Sequence, residues 1–139
     1  MMVEADQARK LIAAARSARE RAYAPYSDFT VGAAVQCADG RIFAGCNVEN
    51  ASYGLTVCAE RVALFAAIAA GCRAIDAIAI AGPGDEPLSP CGACRQVMLE
   101  LAPSATVIMA GETVDRVRNV SELMPEAFGP GEVQERSGG

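Results

Sequence analysis

The sequence predicts an α/β domain, a three-layer α/β/α sandwich built on a mixed sheet of about five strands. Its 139 residues suit one domain with one core. Its segments read in the order αββαβαββα. The first two strand-like runs are joined by a tight turn and are therefore antiparallel. Later helices and strands alternate, which implies parallel crossovers. The chain is taken as a single domain over 1–139, with a tail expected to be flexible from about 129.

From Asp6 to Tyr23, Ala8, Leu11, Ile12, Ala15, Ala18 and Ala22 follow helical spacing, with Arg and Lys on the other faces. This is a surface helix with one buried stripe. APYSDF, rich in turn formers, leads into TVGAAVQCA. After Asp39-Gly40 comes RIFAGCNVEN, and the pair reads as a hairpin. The loop NASYGLT precedes VCAERVALFAAIAAG, which is apolar on most faces and stopped by Gly71, so this helix is expected to be buried rather than amphipathic. AIDAIAIAG is a strand, GPGDEPLS a loop, PCGACRQVMLELA a helix halted before Pro103, and ATVIMA a further strand. TVDRVRN adds an edge strand and SELMPEAF a short final helix. The tail GPGEVQERSGG has the composition of a flexible end.

Composition removes several function classes. Lys and Arg number 12 against 17 Asp and Glu, so the formal charge is -5 and no basic surface exists to neutralise a nucleic acid polymer. The longest apolar run, Val62 to Ala70, falls short of the roughly 18 residues of a membrane span, so no membrane partner is expected. MMVEADQARK lacks the apolar core of a signal peptide, and the expected location is cytoplasmic. Histidine is absent, which takes away the usual general base and the commonest metal ligand.

Chemistry therefore falls to the cysteines and carboxylates. There are six cysteines, and with no secretory signal and ample apolar residues, a disulfide framework is the poorer reading. Cys37, Cys46 and Cys72 lie in apolar or strand-like stretches and are expected to be small buried hydrophobes. Cys91 and Cys94 form a CxxC, which by itself fits a redox pair, half of a zinc site or chance. They follow the third strand and open a helix behind Pro90, which disfavours the redox reading. Three positions apart on a helix, the two thiols project to neighbouring azimuths and can chelate one ion. Cys58 opens the other helix, far enough upstream for one helix, one strand and a loop to return the chain alongside. Both helix starts offer unpaired N–H groups and a positive dipole end, which favour thiolate. No histidine or second CxxC supplies a fourth ligand, so the fourth position is expected to be open to water. Glu60 stands about 200° around the helix from Cys58, and the two share a site only over the helix end.

CAE followed by PCGAC, with NVENASYG and YSDFTVGAA upstream, resembles the small cytidine deaminases from roughly Tyr26 to Phe128. The resemblance implies Cys58, Cys91 and Cys94 as ligands of one Zn²⁺ per chain and Glu60 as proton shuttle. It implies hydrolytic deamination of cytidine and deoxycytidine to uridine and deoxyuridine, a step of pyrimidine salvage. By the same resemblance Asn47 and Glu49 bind the sugar, Phe29 stacks on the base, and the Ala59 N–H holds the pyrimidine carbonyl. Arg61, one turn from Cys58, is expected to donate to thiolate sulfur and offset the charge of three thiolates. The resemblance further implies a homotetramer with shared active sites, in which Ala51, Tyr53 and Phe128 reach a neighbouring subunit's pocket. Three competing readings stand beside this one. They are a blasticidin-S-type deaminase, a non-catalytic zinc-stabilised binding module, and a deaminase acting on polynucleotides, which the net acidity opposes.

Overall fold

A computed structural model describes residues 3–136. Helix α1 (Ala5–Arg19) is followed by strands β1 (Gly32–Cys37) and β2 (Ile42–Cys46), helix α2 (Ala59–Ala69), strand β3 (Ile75–Ala81) and helix α3 (Gly92–Leu101). Strands β4 (Thr106–Ala110) and β5 (Arg116–Asn119) and helices α4 (Val120–Leu123) and α5 (Pro130–Arg136) complete the chain. The sheet order is β2-β1-β3-β4-β5, with β3 and β4 parallel and the other neighbours antiparallel. The five-stranded mixed sheet expected from the sequence is the one observed.

Strand alternation sorts the sheet into two unequal faces. Val35, Ile78, Ile80, Val107 and Met109 join α2 and α3 in the larger core. Ala34, Ala77, Ala79 and Ala81 face Leu11, Ile12 and Ala15 of α1. Small side chains there let α1 lie close against the sheet. At Gly32 the approach is closest, since a Cβ would stand 1.9 Å from the Ala15 carbonyl oxygen. On the opposite face Gly45 does the same for α2, where a Cβ would lie 2.7 Å from the Ala63 nitrogen.

Strands β2 and β3 both lie antiparallel to β1 and so run the same way. Each ends in a loop that starts a helix on the larger-core face. Helices α2 and α3 therefore begin at the same end of the sheet.

Several expectations need correction. Cys37 and Cys72 are buried as expected, but they are joined in a disulfide with Cα atoms 6.3 Å apart. Cys37 ends β1 and Cys72 follows the last turn of α2, whose packing on β1 brings the two together. Helix α2 is not enclosed. Ala63, Leu64 and Ala67 are buried, while Phe65 is 48% exposed and points away from the core. α1 stops at Arg19 rather than Tyr23, because Tyr23 leaves the helix to bridge Val48. The last expected helix shortens to Val120–Leu123, closed at its start by a reciprocal Asn119 and Glu122 cap. Where composition suggests a flexible tail, residues 130–136 form α5. No helix among the described residues is long and apolar enough to cross a membrane.

The Cys37–Cys72 pairing gives a direct prediction. Denatured in chelator without reductant, the chain should titrate four thiols, those of Cys46, Cys58, Cys91 and Cys94, and all six only after reduction. Closing a loop of this length should stabilise the fold by about 3–4 kcal/mol, read as a shift in the denaturant midpoint on reduction. Six thiols before reduction would contradict the pairing.

Candidate metal centre and nucleoside cleft

Cys58 is the N-cap of α2 and Cys91 the N-cap of α3. The antiparallel bridge between Val48 and Val57, with N–H···O bonds of 2.9 and 3.0 Å, ties down the loop before Cys58. Arg95 fixes the entry to α3 by donating to Pro90 O at 2.9 Å and to Leu123 O at 3.1 Å. Between them the thiols converge. The sulfurs of Cys58, Cys91 and Cys94 all lie within 4.8 Å of one another, the one such group of metal-ligating side chains among the described residues.

This spacing fits zinc. Two sulfurs on one tetrahedral zinc at about 2.3 Å stand about 3.8 Å apart, and Cys58 Sγ and Cys91 Sγ are separated by 3.7 Å. Cys94 N–H points back at Cys91 Sγ, 3.5 Å away. Three ligands leave the fourth tetrahedral position free, the arrangement of a catalytic rather than a structural zinc site.

Charge at the cluster is compensated from two sides. A hydrogen bond from Cys94, then the Arg61 guanidinium and Cys91, bring the Cys58 thiol down to about 5 despite its burial. Cys94 is pushed the other way by the hydrogen bond it shares with Cys58, by burial and by the Glu60 charge, and holds its proton. Metal binding must displace that proton. Arg61 Nη2 lies 3.6 Å from Cys58 Sγ, the contact the sequence predicts. Its Nε is buried without a partner among the described residues, a donor left over for the cluster.

Glu60 is 4% exposed, unusual for a first-turn glutamate. Burial, with the Cys58 charge adding to it, raises its carboxyl above the ordinary range, opposed by its own N–H and by Cys94. A carboxyl whose protonated form is favoured by burial beside a metal site is a candidate for proton transfer.

The residues expected to hold the nucleoside form a second group. Asn47 is buried; its Oδ1 accepts the Val31 N–H at 2.8 Å and its Nδ2 donates to Phe29 O at 2.7 Å. Glu49 Oε1 accepts from the Tyr26 N–H at 2.9 Å and the Ser27 N–H at 3.2 Å, and Oε2 accepts from the Ser27 hydroxyl. These bonds, that from Ser27 foremost, hold the Glu49 carboxyl below its usual range and so ionised. A cleft of about 370 Å³ lies beside them, lined by Tyr26, Ser27, Glu49, Asn50, Tyr53 and Thr56. Larger hollows near Arg16 and Glu112 hold none of the residues named for chemistry.

Phe29 is half exposed, and Ala59 is the first residue of α2 and fully buried. Ala51 is exposed, Tyr53 is 76% exposed and stands edge-on to Tyr26, and Phe128 is 64% exposed, its carbonyl accepting from Gln96 Nε2 at 2.7 Å. Phe128 is not among the residues lining the cleft. Sequence reasoning missed Tyr26 and Ser27. The turn-forming APYSDF marks a turn but does not say what its side chains bind.

A family model described as the cytidine and deoxycytidylate deaminase zinc-binding region matches residues 5–110. A cytidine deaminase of Halalkalibacterium halodurans is 52% identical over 120 residues, covering 85% of this chain and 91% of the relative. One from Mycobacterium tuberculosis is 45% identical over 115 residues, 83% of this chain and 84% of the relative. Among solved structures, a cytidine deaminase from Burkholderia pseudomallei superposes with a TM-score of 0.83 at 55% identity, over 86% of this chain and 98% of that one.

Arg61→Ala should lower zinc affinity or turnover roughly 10- to 100-fold, the usual cost of removing a group that supports a metal ligand. Chelator competition and a steady-state assay read the two quantities. If both were unchanged, the helix dipoles alone would suffice to balance the thiolates.

Proposed function

The chain belongs to the cytidine and deoxycytidylate deaminase family, and on that premise we propose how its residues divide the hydrolysis of cytidine to uridine and ammonia. The observation that carries the assignment is the meeting of Cys58, Cys91 and Cys94 at two helix starts beside a buried Glu60. Cys58, Cys91 and Cys94 would hold a zinc ion as thiolates, and an ion bound there would lower the pKa of a water to give a nucleophile at neutral pH. Glu60 takes one proton from the attacking water and gives it to the pyrimidine ring nitrogen, then takes the proton of the carbon-bound hydroxyl as the carbonyl forms and gives it to the departing amine. Its burial keeps the carboxyl poised to be reprotonated in each cycle. Arg61 holds the thiolates, and the Ala59 N–H, at the first position of α2 where the helix itself offers no acceptor, donates to the pyrimidine carbonyl.

Phe29 stacks on the base, and Asn47 and Glu49 hold the sugar. Hydrogen-bonding capacity bounds what the pair can offer the sugar. A carboxylate offers about four acceptor sites, and three donors from Tyr26 and Ser27 already occupy Glu49. Asn47 has one N–H beyond the one given to Phe29. What remains is two acceptors, one on Glu49 and the second lone pair of Asn47 Oδ1, and one donor on Asn47 Nδ2, so the pair can meet sugar hydroxyls both as donor and as acceptor. Both cytidine and deoxycytidine are substrates in this reading, as the family assignment suggests.

The assembly belongs to the proposal too. Tyr53, Leu55, Phe65 and Phe128 are large apolar side chains left at the surface, and the first of them lines the cleft. A homotetramer in which Ala51, Tyr53 and Phe128 close a neighbour's pocket would cover them. One sheet carries both cores, which supports reading the chain as one domain. A cytoplasmic location is also proposed, and the Cys37–Cys72 bond, of a kind rare in reducing compartments, weighs against it.

Glu60→Gln should leave one zinc per chain and lower kcat about 10²–10⁴-fold on cytidine. Zinc analysis and ammonia release measure this, and near-normal turnover would remove Glu60 from its role. Light scattering should give four times the chain mass, and mixing inactive Glu60→Gln and Tyr53→Ala chains should restore part of the activity through hybrid sites. A fully active monomer would refute the shared pocket.

A further inference from the structure

Ser27 sits where sugar recognition and base recognition meet. Its hydroxyl donates to Glu49 Oε2, and its backbone N–H donates to Glu49 Oε1 at 3.2 Å. The same hydroxyl oxygen accepts the Phe29 N–H at 3.0 Å. A continuous hydrogen-bonded path thus runs from the Glu49 carboxylate through one side chain to the backbone of the aromatic residue. Asn47 holds Phe29 from the other side, through its carbonyl.

The residue between the two anchor points is strained. Asp28 has a φ of 58°, in the left-handed region that side chains other than glycine enter at a cost. Its N–H donates to Ala24 O at 3.0 Å, closing the turn. Such a conformation persists only where its surroundings impose it. Here the bonds at Ser27 and Phe29 bracket it. Without the Ser27 hydroxyl, Glu49 keeps two of its three donors, the Phe29 N–H loses its acceptor, and the turn is free to relax.

We propose that Ser27 is a positioning residue that couples the two halves of nucleoside recognition, fixing the Glu49 carboxylate and the Phe29 backbone in one arrangement before substrate arrives. The proposal rests on the roles given above to Glu49 and Phe29. Ser27 lies far from the proton transfers at Glu60 in the chain and makes no bond to the cysteine cluster, so its contribution falls on binding. Interactions equally present in the ground and transition states change KM and leave kcat alone. A merely structural serine would instead lower zinc content, stability and kcat together.

The test is steady-state deamination of cytidine by the zinc-loaded full chain, with zinc content measured alongside, for the wild type and for Ser27→Ala, Ser27→Cys and Ser27→Thr. If the Ser27 hydroxyl holds the site in its binding-competent arrangement, removing it lowers the competent fraction, which predicts a KM raised roughly 10- to 100-fold in Ser27→Ala, with kcat within about threefold and zinc unchanged. Ser27→Cys, nearly the same size and a poor hydrogen-bonding group, should behave like Ser27→Ala. Ser27→Thr keeps the hydroxyl and should recover most of the affinity. If Ser27→Ala fails to fold, the contrast between Ser27→Cys and Ser27→Thr decides the matter. An unchanged KM in the variants lacking the hydroxyl, a fall in kcat alone, or a Ser27→Thr as defective as Ser27→Cys would overturn the proposal. A wild-type protein that releases no ammonia from cytidine would instead overturn the substrate assignment beneath it.

Discussion

The site depends on one topological constraint, that β2 and β3 run in the same direction and each hands the chain to a helix on the same face of the sheet. Two helix N-termini are thereby brought side by side, and an N-cap cysteine on each becomes a pair of ligands. Thiolates are stabilised there by unpaired N–H groups and by the dipoles of both helices. One more cysteine, a single turn into α3, completes the set. The larger core behind the cluster, with Ala59, Leu64, Cys94 and Met98 fully buried, holds the two helices in register with each other.

Charge is the second problem that this arrangement sets. Three thiolates around a divalent ion leave a net negative site, which weakens the metal's pull on water. Arg61 lies on the next turn of the helix that carries Cys58 and reaches its sulfur. Glu60, between the two in sequence, is turned inward and buried rather than solvated. In the proposed division of roles, the sequence CAER supplies a ligand, a backbone donor, an acid–base group and a counter-charge in consecutive positions.

Much of this was legible because it is local. The stripe Leu11, Ile12, Ala15 and Ala18 marked the buried face of α1, Asp39-Gly40 marked the hairpin, and the cysteines marked two helix starts. What escaped needs contacts between distant segments. The Cys37–Cys72 bond depends on where the last turn of α2 meets the end of β1, which no spacing reveals. The outward face of α2 was hidden because an all-apolar helix does not say which side meets the sheet, and Phe65 proved to be on the far side. Ser27 and Tyr26 were missed since their partner, Glu49, lies more than twenty residues away. α5 forms in a segment whose glycine, proline and charges argue against order.

The central claim is a zinc ion held by three sulfurs with one position left for chemistry. X-ray absorption at the zinc edge of the purified, metal-replete protein tests it most directly. The account predicts three sulfur neighbours at about 2.3 Å and one lighter oxygen or nitrogen neighbour at about 2.0 Å. Four sulfur neighbours, or fewer than three, would contradict it.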